Sequence, residues 1–389
     1  LEIHFSEKMD RFRLGVFNEL AHMKEQMRRK GIDLIDLSIG SPDLPPPLFI
    51  RKELEVAIKI PTNYEYSITG ITPFKEAIST YYKENHSVDI EPNEEILVLM
   101  GSQDGLVHLP MVLTNPGDII LVPDPGYTAY EAGIAMADAV AYPMPLKKEN
   151  NYLPDLFEIP EDIARKAKMM ILNYPGNPIP ALATQDFFEE VIQFAKKHNI
   201  VVLHDFAYSE LYYTEHKPIS FMSIDGAKDV GVEFNSLSKS YNMAGCRVGF
   251  AVGNSRVLSG LNTLKSNLDY GVFLPIQQAG MKALLDNSNF SNELRSIYRG
   301  RRDTLVEGLQ KIGWEVEIPD ASMFVWAKVP STYSSISFTF ELIEKTGVVV
   351  TPGNAFGAQG EGYVRIALVK PEEILNKAIE NISKSGMFM

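Results

Sequence analysis

The apolar positions of this chain come in two textures. Between residues 96 and 252, runs that are apolar at nearly every position recur at 96–100, 119–122, 139–144, 169–172, 201–204, 231–234 and 248–252. Segments of helical length separate most of them. Continuous rather than alternating apolarity belongs to strands covered on both faces, and intervening helices are what parallel pairing needs. The pattern predicts an α/β large domain over 49–285, with a mainly parallel seven-stranded sheet flanked by helices. Beyond about residue 285 a long charged helix is predicted at 292–312, then strands at Val316, 321–329 and 347–350. These form a smaller α+β domain, 286–389.

Residues 1–48 read as a helix and arm that join the small domain. Met9, Phe12, Val16, Leu20 and Met23 repeat at helical spacing over 8–30, and a charged run closes the pattern before Gly31. A short strand is expected at 35–39. The stretch Gly40-Ser41-Pro42-Asp43-Leu44-Pro45-Pro46-Pro47 can continue neither helix nor central strand and reads as a linker.

Composition narrows the classes. With 389 residues, 45% hydrophobic and 22% charged, the chain can bury a large core. Lys and Arg number 37 against 50 Asp and Glu, a net charge of -13, and no basic block offers a seat for nucleic acid. A single cysteine, Cys246, forms no internal disulfide and suits a reducing, cytoplasmic setting. The seven histidines show no metal-ligand spacing, so no metal is expected. No apolar run approaches the ~18 residues needed to cross a membrane.

The chemistry is concentrated at Ser236-Leu237-Ser238-Lys239 and at Arg247, eight residues beyond the lysine. A lysine among small hydroxyls with an arginine nearby suits an aldehyde cofactor that carries a phosphate: the amine forms a Schiff base, while the hydroxyls and the guanidinium take phosphate oxygens. In isolation the segment reads more readily as a solvated basic turn. Other candidates fall mainly at the carboxyl ends of predicted strands, where open α/β sheets place their ligands. Ser102 and Gln103, after Gly101, open a helix whose free N–H groups suit a phosphate, although a simple turn reads the same way. Tyr127 follows a strand and can stack on a planar ring or serve the core. Asn177 sits in a proline-stiffened loop, otherwise an ordinary turn. Asp205 directly follows an apolar strand, where a carboxylate needs a cation or donors. Tyr208 lies three residues on, and His204 reads as a packing residue behind the ring.

Together, in this order and spacing, these stretches resemble the fold-type I pyridoxal-phosphate aminotransferases of class I/II over nearly the whole chain. The likeness is nearest to bacterial alanine (glutamate-pyruvate) transaminases and LL-diaminopimelate aminotransferases, and 204–208, 232–249 and 265–271 carry it. The resemblance implies the type I fold and pyridoxal 5'-phosphate as cofactor. It makes Lys239 the Schiff-base lysine, Asp205 the partner of the pyridine nitrogen, and Tyr208 and Asn177 donors to the ring hydroxyl oxygen. Ser102, Gln103, Ser236, Ser238 and Arg247 become the phosphate cup, and Tyr127 the stacking ring. Arg365, in Gly362-Tyr363-Val364-Arg365, takes the substrate carboxylate, and the Gly40 backbone closes over it. A homodimer with shared active sites is implied, in which Tyr66 reaches the neighbouring phosphate and Tyr270 the substrate entrance. Tyr64 competes with Tyr66 for that role, because the spacing to Gly70 is one residue short of the family's.

Two further departures stand out: Ile179-Pro180 replaces Thr-Gly, and Cys246 replaces Trp. An amino acid and a 2-oxo acid are the implied substrates, exchanged by a ping-pong route. Glutamate with 2-oxoglutarate is the expected donor pair, and alanine with pyruvate its leading partner. LL-diaminopimelate, a broad or aromatic specificity, carbon-sulfur lysis and non-catalytic cofactor binding are the alternatives. No arginine for a second carboxylate is found before Ser266, where the chain offers Asn262 and Lys265.

Overall fold

A computed structural model describes residues 1–12 and 15–388. Among these, twelve strands follow in chain order: β1 (Ile35–Asp36), β2 (Ile96–Leu99), β3 (Ile119–Asp124), β4 (Val140–Pro145), β5 (Ala167–Asn173), β6 (Val201–Asp205), β7 (Gly231–Ser236), β8 (Gly249–Gly253), β9 (Phe324–Lys328), β10 (Val348–Val349), β11 (Thr351–Pro352) and β12 (Tyr363–Ala367). The main sheet has seven strands in the order β2-β8-β7-β6-β5-β3-β4. All neighbours pair in parallel except β8, which runs antiparallel to both β7 and β2.

The continuous apolar runs have a simple cause. Val98, Leu121, Met170, Leu172 and Val202 point to one core, whereas Leu97, Ile120, Met169, Ile171 and Leu203 point to the other. Successive side chains alternate faces and both faces are covered, so every position is apolar. A further core gathers Trp314, Phe324, Phe338 and Leu375 with Ile35 and Leu37, which ties the amino-terminal arm to the carboxyl-terminal elements. There β11-β12-β9 form an antiparallel sheet, and β1 pairs with β10 in parallel.

Several element boundaries differ from expectation. The helix expected at 8–30 is a helix over Gly15–Arg29 preceded by a 3-10 turn at Glu7–Arg11, and residues 13 and 14 lie outside the described residues. The strand expected at 35–39 is cut to Ile35–Asp36, because Asp36 Oδ1 accepts from Ser38 N at 3.0 Å and Ser38 Oγ at 2.6 Å, which turns the chain out of the ladder. Of the run at 347–350 only Val348–Val349 forms a strand, and Thr351–Pro352 just beyond it joins the other small sheet. Val316 forms only an isolated bridge to Ala327.

Candidate active site

The carboxyl ends of β5, β6 and β7 meet the arm and the small sheet around one cavity of about 390 Å³. Ser102, Gln103, Tyr127, Asn177, Asp205, Tyr208, Ser236, Ser238, Lys239, Arg247 and Arg365, with Gly40, all line it. Tyr66 and Tyr270 do not. Their rings lie 5.3 Å apart on the surface, where Tyr66 is 84% exposed, while Tyr64 spends its hydroxyl on Ile58 O.

Lys239 lies in the short Leu237–Ser240 helix that follows β7, and Ser236 caps that helix by accepting from Ser238 N at 3.2 Å. The cap fixes the lysine's direction. Its Nζ donates to Gly40 O at 2.8 Å, and glycine at that position lets the backbone lie against the Phe324 ring, which a Cβ would meet at 2.5 Å. Burial, assisted by the positive charges of Arg365 and Arg247, lowers the Lys239 amine to about 8. A substantial neutral fraction therefore exists near neutral pH, as a nucleophile or base requires.

Asp205 ends β6 with its side chain buried. Tyr130 OH donates to Oδ2 at 2.9 Å, Ala207 N to Oδ1 at 3.3 Å, and Asn173 Nδ2 to the Asp205 carbonyl at 2.7 Å. Burial nevertheless raises the carboxyl to about 6, against the lowering effect of the Tyr130 and Ala207 donors. Such a group is suited to a cationic partner from a ligand. His204 bonds Glu233 at 2.9 Å and Tyr174 O at 3.0 Å. It belongs to the buried scaffold behind Asp205.

At the helix that follows β2, Gly101 caps Ser102–Leu113 with φ +79, and a Cβ there would lie 2.7 Å from an Arg247 Nη. The glycine thus lets the guanidinium approach the helix start, where free N–H groups and the helix dipole favour an anion. Tyr127 packs edge-on against Tyr130 at 5.8 Å.

Arg365, on β12, is buried between the Phe324 and Phe356 rings, 4.3 and 4.7 Å from their centroids. Its two Nη atoms donate to Asn177 Oδ1 at 2.7 Å and Ser38 O at 2.6 Å, while Nε has no partner among the described residues. Desolvation brings the guanidinium down to about 10. A buried cation with no facing carboxylate among the described residues and an orphan donor is a ready seat for an anionic ligand. Because Asn177 Oδ1 is taken by Arg365, its amide nitrogen is the end left for the cavity. The departures from the family pattern also find places: Ile179 is buried beside Leu146, Trp326 and Phe356, and Cys246 is half-buried at the edge of the main core.

Sequence reasoning missed Tyr130, Ser38, Phe17 and Lys24. The Tyr127–Tyr130 spacing was a usable signal, since residues three apart share a helix face. Lys24 and Ser38 reach the cavity from the arm. Their position depends on how the arm folds back, which no local pattern encodes. Among the described residues no cluster of three metal-ligating side chains occurs, and no helix is long and apolar enough to cross a membrane.

The chain matches the family model for aminotransferase class I and II over residues 32–382. It is 45% identical over 373 residues to the LL-diaminopimelate aminotransferase of Halothermothrix orenii, covering 96% of each chain. The apo-BacF structure from Bacillus subtilis superposes with a TM-score of 0.96 at 39% identity over 100% of both chains. A probable N-succinyldiaminopimelate aminotransferase from Thermus thermophilus gives 0.90 at 37% identity, over 95% of this chain and 100% of that one. Enzymes of this family use pyridoxal 5'-phosphate, which the buried amine, the carboxylate awaiting a cation and the anion seat at a helix start all fit. The match over most of the chain and the furnished cavity lead to one conclusion: this protein belongs to the class I and II aminotransferases and is a pyridoxal-phosphate-dependent enzyme.

Proposed function

We propose that the enzyme moves an amino group from LL-diaminopimelate to a 2-oxo acid. The observation that carries this reading is the 45% identity to an LL-diaminopimelate aminotransferase over 96% of both chains. It favours this substrate over alanine, the leading expectation from sequence.

When bound, the cofactor supplies an electron sink for the substrate's α-carbon. The remaining work falls to side chains. Arg365 holds the α-carboxylate as a planar fork, and the Phe324 and Phe356 rings on either side keep water from that pair. Lys239, neutral in part because of its lowered basicity, would take the substrate's α-proton. Asp205 would pair with the ring nitrogen and keep a proton there, an electrostatic contribution fixed in advance by Tyr130 and Ala207. Asn177 and Tyr208 would donate to the ring oxygen, and Tyr127 would cover the ring face. Ser102, Gln103, Ser236, Ser238 and Arg247 would hold the phosphate.

The same reading makes the protein a homodimer. Tyr66, exposed and without a hydrogen bond among the described residues, is free to reach a neighbouring phosphate, and Tyr270 beside it to line that neighbour's entrance. The units 1–48, 49–285 and 286–389 are proposed on the separation of the cores, and a cytoplasmic setting on the single cysteine.

A half-reaction screen tests the substrate. Cofactor absorbance is followed as each amino acid is added without an acceptor. LL-Diaminopimelate is expected to convert it at the lowest concentration. A screen in which alanine or an aromatic amino acid does so instead overturns the assignment, and product released over many turnovers, beyond one equivalent per site, with no oxo acid present would mark a lyase.

A further inference from the structure

Among the described residues, four cationic side chains line the cavity: Lys24, Lys239, Arg247 and Arg365. Three have roles above, and Lys24 has none. Lys265, a candidate from sequence for reading a second carboxylate, is spent elsewhere. Its side chain is 1% exposed and held by Asp104 and Asp269.

Lys24 lies on the Gly15–Arg29 helix with its side chain 14% exposed, and its Nζ is 3.0 Å from Asp36 Oδ2. The other oxygen of Asp36 accepts from Ser38 N and Ser38 Oγ, and the Ser38 carbonyl accepts from Arg365 at 2.6 Å. One residue thus links the Lys24–Asp36 pair to the fork proposed for the α-carboxylate. The helix supplies the rest of the wall. Phe17, Leu20 and Lys24 all line the cavity, at spacings that place them on one face. They span about 10 Å at ~1.5 Å per residue. Phe17 packs edge-on against Phe356 at 6.3 Å, and Phe356 covers Arg365. From Arg365 the wall therefore runs through apolar surface to Lys24, whose partner Asp36 beside it keeps 20% of its side chain exposed.

The charge of that pair selects its ligand. Lys24 and Asp36 sum to zero. A simple carboxylate docking on Lys24 leaves two anions sharing one ammonium, and a simple ammonium leaves two cations on one carboxylate. A group bearing both charges divides without excess, its carboxylate on Lys24 and its ammonium on Asp36. Partial burial sharpens the distinction, since an unbalanced charge costs more away from water.

We propose that Lys24 and Asp36 form a distal subsite that reads the second α-amino acid group of a diamino dicarboxylic substrate. The inference rests on the LL-diaminopimelate reading and names the residues that would enforce it.

The test compares the holoenzyme with its Lys24→Met, Lys24→Arg and Asp36→Asn variants. Apparent Kd values come from the first half-reaction with LL-diaminopimelate and with L-2-aminopimelate, which lacks the distal ammonium. Lys24→Met is expected to weaken LL-diaminopimelate roughly tenfold to hundredfold, the effect of losing a charge-assisted hydrogen bond, and Lys24→Arg to restore most of it. Asp36→Asn should abolish the preference for LL-diaminopimelate over L-2-aminopimelate. Unchanged affinity in Lys24→Met, a loss that Lys24→Arg does not rescue, or a preference intact in Asp36→Asn overturns the subsite alone. A wild-type enzyme that fails to react with LL-diaminopimelate overturns the parent reading and the subsite with it.

Discussion

The Tyr130 hydroxyl donates to Asp205 Oδ2 at 2.9 Å, and both side chains are buried. A donor to the ionised form holds a carboxyl's pKa down, so this bond works against the burial that raises Asp205 to about 6. Removing it in Tyr130→Phe should raise the Asp205 pKa further. The acidic limb of the kcat profile should then move to higher pH, with turnover down by about tenfold at neutral pH. A pH profile superimposable on wild type would deny Tyr130 this positioning role.

Asp205 itself carries a trade between stability and turnover. Its folded-state pKa lies above the ordinary 3.8, so the ionised carboxylate counts against folding of the cofactor-free chain. That penalty is absent well below pH 3.8 and complete above about pH 6. Asp205→Asn should therefore raise the melting temperature of the cofactor-free protein at pH 7 to 8 and leave it little changed near pH 4. The same substitution should lower turnover roughly 100-fold to 1000-fold while cofactor remains bound, because the phosphate contacts are untouched. Calorimetry of the cofactor-free form and kinetics of the loaded form read the two effects separately. Normal turnover at saturating cofactor would remove Asp205 from the chemistry.

Arg365→Lys keeps the charge and loses the fork. Asn177 Oδ1 and Ser38 O accept from two different nitrogens of Arg365, and a single ammonium cannot span them in the same geometry. KM for amino acid and oxo acid alike should rise roughly tenfold to hundredfold, with a smaller change in kcat. A fall confined to kcat would place Arg365 outside substrate binding.

Mixed dimers test the shared site. If Tyr66 serves the partner's phosphate, Tyr66→Phe and Lys239→Ala chains combined in one dimer should segregate the defects, leaving one site with both and one with neither. Hybrids should recover about half the activity of wild-type dimers. Hybrids with none, or a fully active monomer by light scattering, would contradict the assignment.

The legibility of the sequence followed the range of the interactions. The parallel sheet was readable because two covered faces leave a local mark, seven continuous apolar runs, and the strands lie within a few residues of them. Lys239, Asp205 and Arg247 stood out because each sits beside a strand end with compatible neighbours, and all three line the one cavity. Strand β1 was overextended because Asp36 captures Ser38, a side-chain contact that apolar patterning does not register. Lys24 belongs to the charged run that closes the first helical pattern, which carries no mark of burial. That helix packs through Leu20 and Met27 on Ile343 of the Ser335–Thr346 helix and on Val349 of β10, residues more than 300 positions away.

The Schiff base proposed at Lys239 can be trapped chemically. Borohydride reduction of the purified, cofactor-loaded enzyme makes a carbon-nitrogen link permanent, and peptide mass mapping then locates it. A phosphopyridoxyl adduct is expected on the peptide containing Lys239 and should be absent from the Lys239→Ala protein. An adduct on any other lysine, or an unmodified Lys239 peptide from active enzyme, would contradict that assignment.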